Sequence, residues 1–477
     1  MTNDEFKEFN ISDDIKNTLE KLGYTRPTEV QQKAIPVVLQ GKDVIVKSQT
    51  GSGKTAAFGI PVCEKVEIEN SNPQALILTP TRELCVQIKE ELGNIGRYKK
   101  IRAVALYGKQ PFSEQAKALK QRVHVAVGTP GRTLDHLDRG TLITEDIKYL
   151  IIDEADEMLN MGFIDQVESI INKISENRIT MLFSATMSPE IEALSRKYMK
   201  APVNIEISRE EMTVSTIEQR VYEIEEDKKF KLLRDLIYVE NPECAIMFCR
   251  TKENVDKLYE KLKQREYSVA AMHGGMLQKD RLAVINGFKN GKYRFLVATD
   301  VAARGIDVED VSHIFNYDFP LEKESYVHRI GRTGRAGKSG AAITFVTPNE
   351  NRFLKDTEEY IGYKIPQFKL PSQEEVQCAK DNYEEKVLVK KDKTKALNKE
   401  ITKLYINAGK KKKIRALDIV GAISNIEGMN SEDIGIIEVE DSVSYVDIHN
   451  GKGKAVIEAF KEMTLKGKKV KVEKAKK

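Results

Sequence analysis

The stretch Ser48-Gln49-Thr50-Gly51-Ser52-Gly53-Lys54-Thr55 constrains this chain more than any other. It follows Asp43-Val44-Ile45-Val46, an apolar run suited to a buried strand, and precedes Ala56-Ala57-Phe58, which suits a helix start. Strand, glycine-rich loop and Gly-Lys-Thr at a helix mouth form the P-loop arrangement. Glycines let backbone N–H groups turn inward around phosphate oxygens, and the helix N-terminus adds its positive dipole end. Gly51 and Gly53 are therefore expected in the cradle, with Lys54 on the β- and γ-phosphates and the Thr55 hydroxyl on Mg²⁺. The usual first glycine is replaced by Ser48. Taken alone, the stretch also fits an ordinary glycine-rich turn, so the rest of the chain has to decide.

That rest is long enough for two to four domains, at 477 residues. Over residues 1–207, strand-like runs alternate with helical stretches: Ala75–Leu78, Val123–Val127, Tyr149–Ile152 and Thr180–Phe183. Such alternation predicts a parallel sheet with helices on both faces. Each run ends in a polar cluster: Thr79-Pro80-Thr81-Arg82, Gly128-Thr129-Pro130-Gly131-Arg132, Asp153-Glu154-Ala155-Asp156 and Ser184-Ala185-Thr186. Ligands of parallel sheets bind at the strands' carboxyl ends, so these clusters should gather beside the P-loop. An isolated acidic pair after a strand is most simply a helix cap. After a P-loop in the same α/β pattern, Asp153 reads instead as a Mg²⁺ holder, and Glu154 as the group that orients or deprotonates the attacking water.

These motifs jointly resemble those of the DEAD-box RNA helicases. Asp153-Glu154-Ala155-Asp156 is the motif that names the family. Pro27-Thr28-Glu29-Val30-Gln31, with Tyr24 and Phe9 upstream, looks like its Q motif, and the P-loop, Pro80-Thr81-Arg82-Glu83-Leu84, Thr129-Pro130-Gly131-Arg132 and Ser184-Ala185-Thr186 follow in order. One departure is Gly108-Lys109, where the family often has two glycines. The resemblance spans about residues 1–365 and implies two RecA-like parallel-sheet lobes that hydrolyse ATP on RNA. It assigns Gln31 to the adenine edge and Tyr24 to stacking on the ring, roles that a carboxamide and an aromatic ring can fill. Arg82, Thr129 and Arg132 would hold RNA phosphates or sugars. Ser184 and Thr186 would hydrogen-bond Asp156, coupling nucleotide state to RNA.

The charged stretch Ser208 to Thr213 suggests a hinge linker over 208–215, and alternation then resumes over 216–365. Ala245–Phe248, Val269–Met272, Phe295–Ala298 and His313–Asn316 are its strand-like runs, without a second P-loop. The polar loops carry Gln278, Arg281, Thr299, Asp300 and Asp307, and then His328-Arg329-Ile330-Gly331-Arg332-Thr333-Gly334-Arg335. Planar guanidinium forks suit anion recognition. The resemblance makes Arg332 and Arg335 arginine fingers, His328 a coupling residue and Asp307 a contact to the ribose or the nucleotide-side network. It places Gln278, Arg281 and Thr299 on RNA.

Residues 366–400 are rich in charge and read as a tether, with room for part of it to be helical. Over 401–477 a fresh pattern predicts strand 402–407, helix 414–426, strands 434–439 and 444–448, helix 455–463 and strand 469–472. That βαββαβ order is the RNA-recognition-motif (RRM) topology, a small α+β domain. This segment has 16 Lys and Arg against 11 Asp and Glu. Lys410, Lys411, Lys412 and Lys413 form a loop that suits a phosphate backbone. The paired aromatics usual on an RRM sheet are absent, with only Tyr405 and Tyr445 on inner strands, so weight shifts to the loops. Ile401 onward, with Asn407 to Arg415 and Asp433-Ile434-Gly435, resembles the C-terminal module of bacterial DbpA-type helicases. The resemblance implies a hairpin of large-subunit ribosomal RNA as target, and ribosomal precursor particles as partners.

Composition narrows the setting. The chain is 40% apolar and 31% charged with net charge +4, and no run approaches the roughly 18 apolar residues of a membrane span. Five cysteines form no zinc-type pattern. A monomeric cytoplasmic protein without membrane attachment is expected. The readings to separate are an RNA helicase using ATP and Mg²⁺, an ATP-gated RNA clamp, and a DNA translocase.

Overall fold

The computed structural model describes residues 5–48, 51–207, 217–303, 311–334, 339–383, 397 and 400–475. The hinge at 208–215, Asp307 and Arg335 lie outside them. Three sheets organise the described residues. The first comprises β1 (Val44–Lys47), β2 (Ala75–Leu78), β3 (Ala103–Leu106), β4 (Val125–Gly128), β5 (Tyr149–Ile152), β6 (Ile179–Ser184) and β7 (Val203–Glu206). Its order is β3-β4-β2-β5-β6-β1-β7 and every pairing is parallel. Side chains alternate across a strand, so Val44 and Val46 enter one apolar cluster with Phe58 and Phe183, while Ile45 enters the other with Leu76 and Leu182. Helices cover both faces. That layout brings the loops after β1, β2, β4, β5 and β6 to one edge.

The second sheet repeats the plan with β8 (Ile217–Glu223), β9 (Ala245–Phe248), β10 (Val269–Met272), β11 (Phe295–Ala298), β12 (His313–Asn316) and β13 (Gly340–Val346). Its order is β10-β11-β9-β12-β13-β8, again all parallel. The sequence pattern does not single out strands β3, β7, β8 and β13. Three of them lie on sheet edges, where one side faces solvent and the apolar signal weakens: β8 reads Ile-Glu-Gln-Arg-Val-Tyr-Glu. Within the stretch read as a tether, helix Gln373–Asp381 packs on helix Lys229–Glu240, and Tyr383 meets the Tyr238 ring edge-on at 5.0 Å.

The third sheet is antiparallel: β14 (Thr402–Ile406), β15 (Ile434–Val439), β16 (Ser444–Ile448) and β17 (Val472–Lys474), in the order β15-β16-β14-β17. Helices Ala416–Ser424 and Gly453–Glu462 complete βαββαβ. Leu404, Ile406, Val446 and Ile448 pack beneath these helices with Ile419 and Phe460. The last strand begins at Val472, later than the expected 469–472. Lys466 and Gly467 are in left-handed turn conformations, and the chain is still rounding a Leu465–Lys468 bridge. Among the described residues, no helix is long and apolar enough to cross a membrane.

Asp43, at the entry to β1, ties three segments together. Its carboxylate accepts from the Thr180 N–H at 2.8 Å and the Lys200 N–H at 2.7 Å, and it is buried. Asp43→Ala would strand both amides, each costing about 1–3 kcal/mol. We expect the urea transition of the first lobe to fall by about 2–4 kcal/mol; an unchanged midpoint would show that water replaces the carboxylate.

Candidate active site

The P-loop is shaped by left-handed glycines. Gly51 and Gly53 have φ of 85° and 87°, and helix Lys54–Lys65 starts directly after them. A Cβ on Gly53 would lie 2.5 Å from Gln31 Nε2 and 2.9 Å from Thr28 Oγ1, so only glycine fits. Lys54 is buried and its ammonium donates to the Ser48 carbonyl at 3.0 Å. Ser48, which replaces a glycine, also accepts from the Ser52 hydroxyl at 3.2 Å. The Q-motif residues brace this loop. Thr28 Oγ1 donates to the Ser52 carbonyl at 2.8 Å, and Gln31 Nε2 to the Gly53 carbonyl at 3.1 Å. Gln31 Oε1 accepts from the Thr28 N–H at 2.9 Å. One N–H and one lone pair of the Gln31 amide remain for a ligand. Tyr24 is half-buried beside Phe6, their rings 6.0 Å apart and edge-on.

Beyond β5, Asp153 and Glu154 are both buried. Glu154 has a left-handed backbone, φ 54° and ψ 53°. For a non-glycine residue this costs of order 1–3 kcal/mol and gathers at functional sites. Burial and the adjacent Asp153 push the Glu154 carboxyl up to about 7, while Arg332 and Lys54 pull it down. Arg332 belongs to the second lobe, so the two lobes already share one electrostatic centre. No group of three or more His, Cys, Asp or Glu among the described residues forms a metal cage by itself. Asp153 and Thr55 instead suit Mg²⁺, which takes one or two protein oxygens plus substrate phosphates.

Asp156 is the hinge-pin of this edge. Its Oδ2 accepts from the Ala185 N–H (3.0 Å), the Thr186 N–H (2.9 Å) and the Thr186 hydroxyl (3.2 Å). Ser184, expected to join them, turns away and donates to the Thr186 carbonyl at 2.6 Å. A backbone amide at Ala185 does that work, which no side-chain motif can reveal.

Among the described residues, two sets of contacts cross the cleft. On the nucleotide side, His328 Nδ1 lies 2.8 Å from Glu157 Oε1. On the far side, Gln278 donates to Glu83 Oε1 at 2.7 Å, Arg281 Nε is 3.2 Å from that oxygen, and Arg82 donates to Gln278 at 3.2 Å. Burial lowers the Arg82 pKa, Glu83 opposes this, and Arg281 and Arg132 lower it further. A concentrated positive patch of this kind favours an anionic ligand. Arg132 is held by Gln110 O and Gln115 Oε1, both at 3.1 Å. Thr129 stands at the N-cap of helix Pro130–Asp138, and the Thr299 N–H donates to the Met272 carbonyl at 3.3 Å.

Sequence reasoning missed Glu83, Glu157 and Arg329. The first two directly follow chosen residues, and their cross-lobe partners lie far away in the chain. Arg329 is fully buried, paired twice with Asp300 at 2.5 and 2.7 Å and donating to the Asp318 carbonyl at 2.7 Å. It fixes the turn that carries His328 and Arg332. On the third domain, Lys410–Lys412 form a 3-10 turn whose N–H groups at Lys410 and Lys411 donate to Glu440 and Asp441 carbonyls at 2.8 Å. Lys410, Lys411 and Lys413 are exposed, and Lys412 half-buried. Lys466 and Lys468 donate to the carbonyls of Lys413 and Lys412, adding two cations that the sequence reading passed over.

Comparison with known proteins agrees with this geometry. Residues 28–194 match the DEAD/DEAH box helicase family, 228–337 the helicase conserved C-terminal domain and 403–474 the DbpA RNA binding domain. The ATP-dependent RNA helicase DbpA of Bacillus subtilis (strain 168) is 56% identical over 476 residues, covering 99% of each chain. The chain belongs to the DEAD-box ATP-dependent RNA helicases. The DEAD-box helicase CshA of Geobacillus kaustophilus is 48% identical over 370 residues, 78% of this chain and 79% of that one. Among solved structures, S. cerevisiae Dbp5 bound to RNA and ADP BeF3 aligns with a TM-score of 0.71 at 31% identity, covering 79% of this chain and 98% of Dbp5.

Within this helicase, Lys109 keeps a glycine's backbone at the position where the family resemblance leads one to expect glycine. Its φ is 61° and it is exposed, next to Gly108, whose added Cβ would lie 3.6 Å from Arg82 Nη2. Lys109→Gly should relieve about 1–2 kcal/mol of left-handed strain. It should also reduce the salt slope of single-stranded RNA affinity by about 1, as expected for one lost phosphate contact. Titration at three salt concentrations measures the slope; an unchanged slope would place the ammonium off the RNA path.

Proposed function

We propose that this RNA helicase remodels large-subunit (23S) ribosomal RNA during ribosome assembly, acting in the cytoplasm as a monomer on ribosomal precursor particles. The reading rests on the C-terminal domain. It matches the DbpA RNA binding domain over 403–474 and presents its lysines on a turn fixed by backbone bonds. A basic loop pre-shaped in this way suits a structured phosphate backbone better than a solvated lysine run does.

In the motor, Lys54 would hold the β- and γ-phosphates, and Asp153 with Thr55 would hold Mg²⁺, which screens phosphate charge when bound. Gln31 would present its remaining N–H and lone pair to adenine, with Tyr24 stacked on the ring. Gln31 also grips the Gly53 carbonyl, so nucleotide choice and P-loop shape would be linked through one amide. Glu154 would orient and deprotonate the attacking water, and Arg332 and Arg335 would neutralise charge on the transferring phosphoryl group. Asp307 would meet the ribose or the nucleotide-side network. Arg82, Thr129, Arg132, Gln278, Arg281 and Thr299 would contact RNA phosphates and sugars without reading sequence. Thr186 and Asp156, with His328 through Glu157, would transmit nucleotide state. Closure of both lobes would bend one strand, and hydrolysis would release it.

Two outcomes test this. Glu154→Gln should bind ATP and RNA but lose about 10²–10⁴-fold in turnover, because an amide does not accept the proton. Normal hydrolysis by the variant would remove Glu154 from the chemistry. Changing Lys410, Lys411, Lys412 and Lys413 to alanine should lower ATPase stimulation by 23S ribosomal RNA towards that by arbitrary RNA, leaving the arbitrary-RNA rate intact. Equal loss with both RNAs would contradict the ribosomal assignment.

A further inference from the structure

The third sheet has two faces. The face away from its helices carries Lys403, Tyr405, Glu438, Tyr445, Asp447 and His449, with Tyr405 opposite Tyr445 and their rings 5.9 Å apart. This is the face on which an RRM stacks bases. Here the part of that face at Asp447 and His449 is covered, while Tyr405 and Tyr445 stay half-buried and Lys403, 2.9 Å from Glu438, is exposed. Asp447 is buried, and its Oδ2 lies 3.1 Å from Arg97 Nη2 in the first lobe. The buried His449 ring meets Tyr98 edge-on at 5.1 Å. Arg102 donates to the Ile437 carbonyl and Lys100 to the Ser431 carbonyl, both at 3.3 Å.

The approach to the sheet is docked as well. Leu397 and Ile401 belong to the first lobe's apolar cluster, and Glu400 accepts from Lys21 and from the Tyr98 hydroxyl. The contact is therefore complementary in charge: Lys21, Arg97, Lys100 and Arg102 on the lobe face Glu400, Glu438 and Asp447. The buried Asp447 carboxylate would repel a phosphate backbone and is paired with Arg97, so this edge of the face fits a basic protein surface. Local sequence supports the shape. A Cβ on Gly435 would lie 2.4 Å from His449 Nε2 and 2.9 Å from Asp447 Cβ, so glycine there makes room for the two docking side chains. Asp433 accepts from Asn450 at 2.8 Å and Lys452 at 2.7 Å, fixing the turn after His449.

We propose that the sheet face of the C-terminal domain is a docking surface for the N-terminal lobe, so that this domain, although it follows the second lobe in the chain, moves with the first. RNA gripped by the basic loop would then be anchored to the first lobe, and the second lobe's closure would act against that anchor. The inference is independent of which RNA is gripped.

Full-length protein with Cys378→Ser, whose other cysteines are buried, accepts paired dyes for single-molecule energy transfer. One pair joins the C-terminal domain to the first lobe (Lys454→Cys with Glu190→Cys), and the other joins it to the second (Lys454→Cys with Lys261→Cys). Adding a non-hydrolysable ATP analogue and oligouridylate should leave the first pair's efficiency unchanged and shift the second. Arg97→Glu should broaden the first pair's single narrow population, and Arg97→Asp combined with Asp447→Arg should restore it. A constant second pair with a shifting first pair would overturn the proposal, as would a narrow population in Arg97→Glu.

Discussion

Two carboxylates, Asp153 and Glu154, are buried side by side at the end of β5, and the balance of charge around them governs the cleft. Burial and mutual repulsion push the Glu154 carboxyl up, and the opposing cations come from both halves of the motor: Lys54 from the P-loop and Arg332 from the second lobe. A buried anion pair without cations would be costly. The electrostatics therefore favour the arrangement in which both lobes meet. The strained backbone at Glu154 fits the same picture, since a left-handed glutamate persists only where its surroundings hold it.

From that centre, short bonds carry the arrangement outward. Asp156 gathers the loop after β6 through two backbone amides and a hydroxyl. Glu157, next in the chain, reaches His328 across the cleft, and Arg329 locks the turn between His328 and Arg332 onto Asp300. At the opposite rim, Glu83 collects Gln278 and Arg281. The nucleotide side and the positive rim are thus each bridged by a first-lobe carboxylate, and the residues that close one are rigidly linked to the same sheets as the residues that close the other. Beyond the motor, a small domain presents an exposed basic turn, while Asp447 and His449 on its sheet rest against Arg97 and Tyr98 of the first lobe.

Much of this was legible in the sequence because parallel strands buried on both faces leave unbroken apolar runs: Ala75–Leu78, Tyr149–Ile152, Ala245–Phe248 and Phe295–Ala298 were placed to the residue. The loops at their ends were legible because phosphate chemistry demands particular residue types. Edge strands such as β8 were not, since one side faces solvent. Neither were contacts that only three dimensions create. The Ser184 hydroxyl looked like a partner for Asp156, yet backbone amides took that place. The pairing of Arg97 with Asp447 joins residues 350 positions apart, and no local pattern marks either one.

The central claim is that the ATPase site is complete only when the second lobe delivers its arginine to the buried Glu154. Single-turnover hydrolysis by Arg332→Ala at saturating ATP and single-stranded RNA tests it directly. An arginine placed on a transferring phosphoryl group is worth about 10³–10⁵-fold, so the account predicts a loss of at least about 10³-fold in the hydrolysis rate, with RNA affinity retained. Hydrolysis within a few-fold of the unaltered protein would contradict it.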